Sequence, residues 1–257
     1  MTESLQVRIH GPPDRPTLIY FPGLHGDWTL VGSFRRALGG HVRFIDMSYP
    51  RTLTWSLDDY AAAIETALHR QSITRGWLLG ESFGSQIVWA MAARGRFAAE
   101  GLVFAGGFVR HPVSWVVPQA ERLIGAVPSR LMTWVTAAYG KVLRLRYRHS
   151  PEVLESVAEF IARRTELDCR AMRHRLRLIS ANDLRPLAEA IKLPVYMLSG
   201  LVDPVVPWSG VRPWVRRHCP ALQDYRVIWR ADHNVLGTAP EASAAQVLKW
   251  LGAVRGR

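Results

Sequence analysis

Three residues could together do acyl-transfer chemistry. They lie far apart in the chain: Ser82, Asp203 and His233. A serine hydroxyl is a weak nucleophile unless a base takes its proton. The usual base is a histidine, which needs a carboxylate to hold its imidazole. Ser82 sits in Gly80-Glu81-Ser82-Phe83-Gly84, between an apolar run and a helix-like run. Alone, a Gly-x-Ser-x-Gly match is weak, because 20 glycines and 15 serines in 257 residues make it a common accident. The partners decide. Asp203 lies three residues past "VYMLSG" and precedes Pro204, and His233 lies three residues past "DYRVIWR" in "ADHNV". Among nine histidines, only His25 and His233 follow apolar strand-like runs in this way.

The segments around these residues alternate in type. "LQVRIHG", "TLIYFPG", "HVRFIDMSYP", "WLLGE" and "GLVFAGGF" read as strands, as do the later "PVYMLSG" and "DYRVIWR". Between them lie helical patterns: "WTLVGSFRRALGG", "SLDDYAAAIETALHRQ" with Ser56 as its N-cap, Phe83 to Arg94, and a last helix "PEASAAQVLKWLGAV". Strand–helix alternation predicts βαβ units, hence an α/β fold with a mostly parallel central sheet and helices on both faces. From about 110 to 190 the alternation stops and the patterns are helical. This predicts a core of residues 1–109 and 191–257 with a helical cap inserted at 110–190. In a parallel sheet all strand C-termini share one edge, so residues just past different strands can converge there.

At these residues the chain resembles the α/β-hydrolase superfamily over nearly its full length. The resemblance rests on Gly80-Glu81-Ser82-Phe83-Gly84 between strand and helix, on Gly200-Leu201-Val202-Asp203-Pro204-Val205-Val206-Pro207 after a late strand, and on Asp232-His233-Asn234 after the last. The order Ser, acid, His is the family's order. The resemblance implies a serine esterase, carboxylesterase- or lipase-like, with Ser82 as nucleophile, His233 as base and Asp203 as the orienting acid. It implies Phe83 N–H as one oxyanion donor. The second donor follows the first long strand: Leu24 if Pro22-Gly23 holds the family's place, Asp27 if His25-Gly26 does, with strand length favouring Leu24. Ser85 stands where the family often has glycine and is still small. Asp232 competes as the acid, but its adjacency to His233 makes that geometry awkward. Glu81 either tunes the charge of the site or is a packed flanking residue.

Candidate substrate contacts are His25, Trp28, Trp115 and Trp134, and Trp55 could line the pocket or belong to the core. The cap carries Trp115, Leu123, Ile124, Val127, Leu131, Trp134 and Val135 among arginines. Such a stripe is either buried surface or a hydrophobic lid over an acyl cleft, with weak contact to a lipid–water interface through the arginines. The apolar cap leads to an expectation of medium-chain or bulky acyl groups. The same residues also fit an acyltransferase, a thioesterase, a carbon–carbon bond hydrolase, or an inert hydrolase-like binding protein.

Composition sets the remaining expectations. The net charge is +12, with 30 arginines and only three lysines. Residues 109–193 carry 15 Arg+Lys against 8 Asp+Glu, so most of the excess sits in the middle third. No nucleic-acid motif accompanies it, and the expected partner is a small-molecule ester. No metal site or organic cofactor is implied. Cys169 and Cys219 lie in no CxxC or Cys/His cluster and are expected as thiols. "MTESLQVRIHG" has no apolar core of a signal peptide, and no stretch is apolar enough to span a membrane, so a cytoplasmic location is expected.

Overall fold

The computed structural model describes residues 4–126, 151–162 and 165–253. Seven strands form one sheet: β1 (Gln6–His10), β2 (Thr17–Phe21), β3 (Arg43–Ser48), β4 (Arg75–Glu81), β5 (Ala98–Ala105), β6 (Val195–Gly200) and β7 (Leu222–Ile228). Their spatial order is β1-β3-β2-β4-β5-β6-β7, with β1 antiparallel to β3 and all other pairs parallel. From β2 the chain steps to β3 on one side and returns to β4 on the other. The C-terminal edges of β2 and β4 are therefore where the winding reverses, and such a switch point leaves a crevice.

Alternation along each strand feeds two cores. Ile19 and Phe21 of β2, Leu78 of β4, and Leu102 and Phe104 of β5 point to one face. Leu18 and Tyr20, Leu79, and Val103 and Ala105 point to the other. The first face is covered by α2 (Leu57–Arg70), α3 (Gly84–Arg94) and α8 (Trp208–His218), through residues such as Ile64, Ile87 and Val211. The second is covered by α1 (Gly32–Ala37), the short α9 (Val235–Thr238) and α10 (Pro240–Trp250), through Phe34, Leu236 and Val247. A sheet buried on both faces needs nearly continuous apolar strands, which is why β2, β4 and β5 read that way in sequence.

Between β5 and β6 the described residues hold α4 (Val116–Ala126), α5 (Pro151–Ala162), α6 (Glu166–Ala181) and α7 (Arg185–Ala190). The C-terminal part of this segment packs into the first core through Leu176, Ile179, Leu184 and Ala188.

Local chemistry sets several boundaries. Helix α2 starts with a capping box: the Ser56 hydroxyl accepts from Asp59 N (3.1 Å), and the Asp59 carboxylate accepts from Ser56 N (2.8 Å). Thr165 and Asp168 do the same for α6. One sequence expectation is corrected. The helix anticipated from Trp28 begins only at Gly32, because the Asp27 carboxylate accepts from Thr29 N (3.0 Å) and Val31 N donates to Trp28 O (3.3 Å), which folds 27–31 into a turn. No helix among the described residues is long and apolar enough to cross a membrane.

Gly84 is where α3 presses against β2. A Cβ there would lie 2.1 Å from Phe21 O, a backbone atom that cannot step aside. Gly84→Ala is therefore expected to lower the unfolding free energy by about 2–3 kcal/mol. Loss of the α2 cap in Ser56→Ala should cost only about 1 kcal/mol. Urea unfolding of the two variants checks this order; a milder effect at Gly84 would contradict the close approach.

Candidate active site

β4 ends at Glu81 and α3 begins at Gly84, so the chain reverses within two residues. Ser82 at this turn has φ +50°, a conformation uncommon for a residue with a side chain. The turn is held on both sides. Ser82 N donates to Ala105 O at the end of β5 (3.0 Å), while Ser82 O accepts from Ser85 N (3.0 Å) and Ser85 Oγ (2.6 Å). The small residue in place of the family's glycine thus adds a hydrogen bond to the turn. The N-terminus of α3 faces the same spot, and its dipole favours negative charge there.

Asp203 lies just past β6. Its Oδ1 accepts from Val205 N (2.9 Å) and Val206 N (2.8 Å), which fixes the carboxylate. Its Oδ2 lies 2.9 Å from His233 Nδ1. His233 follows β7 and precedes α9, and its Nε2 lies 2.9 Å from Ser82 Oγ. A carboxylate held this way only accepts, so His233 Nδ1 carries the proton and Nε2 is left to accept the Ser82 hydroxyl proton. The three side chains form one directed hydrogen-bonded chain. The competing Asp232 is otherwise engaged: its Oδ1 accepts from Asn234 N (3.0 Å) in the loop.

The loop after β2 runs beside this turn because β2 and β4 pair in parallel, Phe21 opposite Gly80. A Cβ on Gly23 would lie 3.3 Å from Ser82 Cβ and 3.4 Å from His25 Nδ1, so this loop touches the serine directly. The loop is pinned by its carbonyls. Tyr49 OH donates to Pro22 O (3.2 Å), Gly26 N to Gly23 O (3.0 Å), Arg175 Nη1 to Leu24 O (2.7 Å), and Tyr49 N to Gly26 O (2.8 Å). Leu24 N and Phe83 N donate to no acceptor among the described residues.

The anticipated substrate contacts separate. His25 stays near the serine and meets the Phe160 ring edge-on (6.0 Å). Trp28 does not belong with it: its ring lies under the Arg8 guanidinium (3.8 Å) and packs on the second core. Trp55 packs edge-on against Tyr60 (5.2 Å) in the first core. Trp115 and Leu123 stand out to solvent, 67% and 66% exposed. Trp134, Val127, Leu131 and Val135 lie outside the described residues. Cys169 and Cys219 are not joined to each other, and no cluster of three or more metal-ligating side chains occurs among the described residues.

Two buried groups near the site go beyond the sequence reading, which left Glu81 between two roles and gave Arg175 none. Arg175 reads as one more charge on a polar helix. Yet it follows Ala171 by four positions and precedes Ile179 by four, so it falls on the buried stripe of α6. Glu81 is fully buried and accepts a very short hydrogen bond from Tyr20 OH. Burial pushes its carboxyl up to about 7, against the pull of the Tyr20 bond and of His233, with Asp232 adding to the rise. Tyr20 is itself held well above the ordinary tyrosine value, first by burial and then by Glu81.

The family described as serine aminopeptidase, S33, matches residues 47–238, and the chain belongs to it and with it to the α/β hydrolases. Three solved structures illustrate the fold. A hydrolase from Pseudomonas aeruginosa PA01 is 18% identical with a TM-score of 0.80, over 96% of this chain and 94% of its own. A thermophilic esterase from Thermogutta terrifontis is 19% identical with a TM-score of 0.76, over 96% and 93%. The enol-lactonase from Burkholderia xenovorans LB400 is 20% identical with a TM-score of 0.76, over 96% of each chain. No curated protein matches the sequence.

Glu81 gives a pH prediction. Its folded value near 7 exceeds its ordinary 4.5, so between these values the native chain keeps a proton that the unfolded chain has released. Stability from this group is therefore full below about pH 4.5 and is lost as pH rises towards about 7. Glu81→Gln stays neutral and keeps an acceptor for Tyr20. Its stability relative to the parent is expected to climb from about pH 5 to 7 and level off above. Thermal melts across that range check it; a flat difference would mean that Glu81 does not titrate there.

Proposed function

We propose that the chain is a serine hydrolase that cleaves carboxylic esters through an acyl-enzyme on Ser82. The observation that carries this reading is the directed chain Asp203–His233–Ser82, with both links at 2.9 Å. His233 Nε2 takes the hydroxyl proton as Ser82 Oγ attacks the ester carbonyl. Asp203 holds the tautomer and stabilises the imidazolium that results. The oxyanion is bound by Phe83 N–H and Leu24 N–H. Leu24 is preferred to Asp27 because its amide joins it to Gly23, which abuts Ser82. His233 then protonates the leaving alkoxide. Water, deprotonated by the same nitrogen, attacks the acyl-enzyme and releases the acid. His25, beside Gly23 and edge-on to Phe160, lines the entry to the acyl group.

The esterase from Thermogutta terrifontis and the enol-lactonase from Burkholderia xenovorans share the fold, and both names describe hydrolysis of an ester bond. The family's own description names an aminopeptidase, so p-nitroanilides belong in the assay beside p-nitrophenyl esters. Faster turnover of the anilide would replace the ester reading with an amide one on the same residues.

Ser82→Ala should lower kcat on a p-nitrophenyl ester by roughly 10⁴–10⁶-fold with the fold retained. A fluorophosphonate should label the parent at Ser82 and leave the variant unlabelled. Asp203→Asn should cost about 10⁴-fold by stabilising the wrong tautomer. Ester turnover in Ser82→Ala close to that of the parent would remove the proposal.

A further inference from the structure

The segment between β5 and β6 sends a buried charged side chain, Arg175, against the loop that follows β2. Arg175 is only 2% exposed, and among the described residues no carboxylate pairs with it. A buried cation without a counter-charge is costly and persists only where other groups hold it. Here the holders are backbone oxygens and an aromatic face. Nη1 donates to Leu24 O (2.7 Å), Nη2 to Pro50 O (3.4 Å), and the guanidinium faces the Tyr49 ring (5.5 Å). Nε is buried with no acceptor. Space for the group is made by Gly26, at φ +79°, where a Cβ would lie 2.4 Å from Nη1.

We infer that Arg175 is a positioning residue: its guanidinium, reaching from α6 to the Leu24 carbonyl, sets the orientation of the Leu24 N–H that receives the oxyanion. The inference rests on the reading of Ser82 as nucleophile and Leu24 as donor. The physical link is short. Leu24 O and Leu24 N lie on successive peptide planes joined at the Leu24 Cα: the guanidinium holds the carbonyl and restricts ψ, and the plane that carries the Leu24 N–H is held against it through Gly23 O, which accepts from Gly26 N. The Gly26 N–H to Gly23 O bond and the two Tyr49 bonds fix the rest of the loop. Arg175 reaches this loop from α6 by a side-chain hydrogen bond to the Leu24 carbonyl. It also places a positive charge against the loop whose N–H would receive the oxyanion.

Helix α6 does not depend on Arg175 for its docking. Asp168 accepts from Arg51 Nε (2.8 Å), and His174 Nε2 bonds Trp55 O (2.8 Å). Leu176 and Ile179 add apolar contact to the core. A variant at position 175 should therefore keep the helix in place while releasing the Leu24 carbonyl.

The test compares the parent with Arg175→Met and Arg175→Lys on p-nitrophenyl butyrate. It also measures inhibition by a trifluoromethyl ketone, whose adduct with serine carries the same oxyanion. Arg175→Met should lower kcat about 10- to 100-fold, with KM changed less than about threefold, and weaken the ketone by a similar factor. Arg175→Lys keeps the charge but loses the planar fork that spans the Leu24 and Pro50 carbonyls, and should fall between the two. A purely structural role would lower the melting temperature and leave kcat and ketone affinity unchanged, and that result overturns the inference. If Arg175→Met fails to fold, Arg175→Lys decides: kcat within twofold of the parent with unchanged ketone affinity overturns it. A parent that neither turns over the ester nor takes a fluorophosphonate overturns the esterase reading and this inference together. An active parent with an indifferent Arg175→Met overturns this inference alone.

Discussion

A helix can begin two residues after a buried strand ends only if the two backbones approach more closely than side chains permit. That constraint governs this molecule. Gly84 brings α3 against the last carbonyl of β2, and Gly80 faces the first turn of the helix it precedes. With both ends closed in this way, Ser82 has nowhere to go but the positive-φ region, and its hydroxyl is projected past the edge of the sheet. The same close approach brings the β2 end beside the β4 end. The crevice, the turn and the donor loop are therefore one arrangement seen from three sides. The cost of the Ser82 conformation is offset by its bonds to Ala105 and Ser85.

Polar groups buried around the turn follow a different logic from those on the surface. At the far edge of the sheet, Asp46 is fully buried but receives Arg8 (2.7 Å) and Arg35 (3.2 Å), a conventional ion-paired solution. Near the serine, Glu81 and Arg175 have no ion-pair partner among the described residues. Glu81 accepts the Tyr20 hydroxyl and burial raises its carboxyl to about 7, and Arg175 keeps its place on carbonyl oxygens.

Much of this was legible along the chain. Apolar runs of five to eight residues separated by helical patterns signalled the parallel sheet, because a strand buried on both faces cannot alternate. Ser56 and Asp59 marked the start of α2 by a rule that needs only four residues. The order Ser82, Asp203, His233 was legible because each residue follows a strand, and parallel strands end on one edge. Other features were not. Trp28 and Trp55 look like pocket aromatics from their distance to strand ends, yet one pairs with Arg8 and the other with Tyr60, partners from elsewhere in the chain. The turn at 27–31 replaced helical residues because one carboxylate reached two positions along.

The sequence by itself determined the alternation of elements, the strained turn with its flanking glycines, and the positions of the serine, acid and histidine at strand ends. All of these depend on interactions within a few residues or on side-chain period. Only the tertiary structure decided that the two links of the hydrogen-bonded chain close at 2.9 Å across separations of 30 and 151 residues. Only it decided that Glu81 is buried, and that an arginine from the segment between β5 and β6 ends on the Leu24 carbonyl. A residue's type fixes what it can donate or accept. Which acceptor it meets, and whether water is there to compete, depends on what the rest of the chain packs around it.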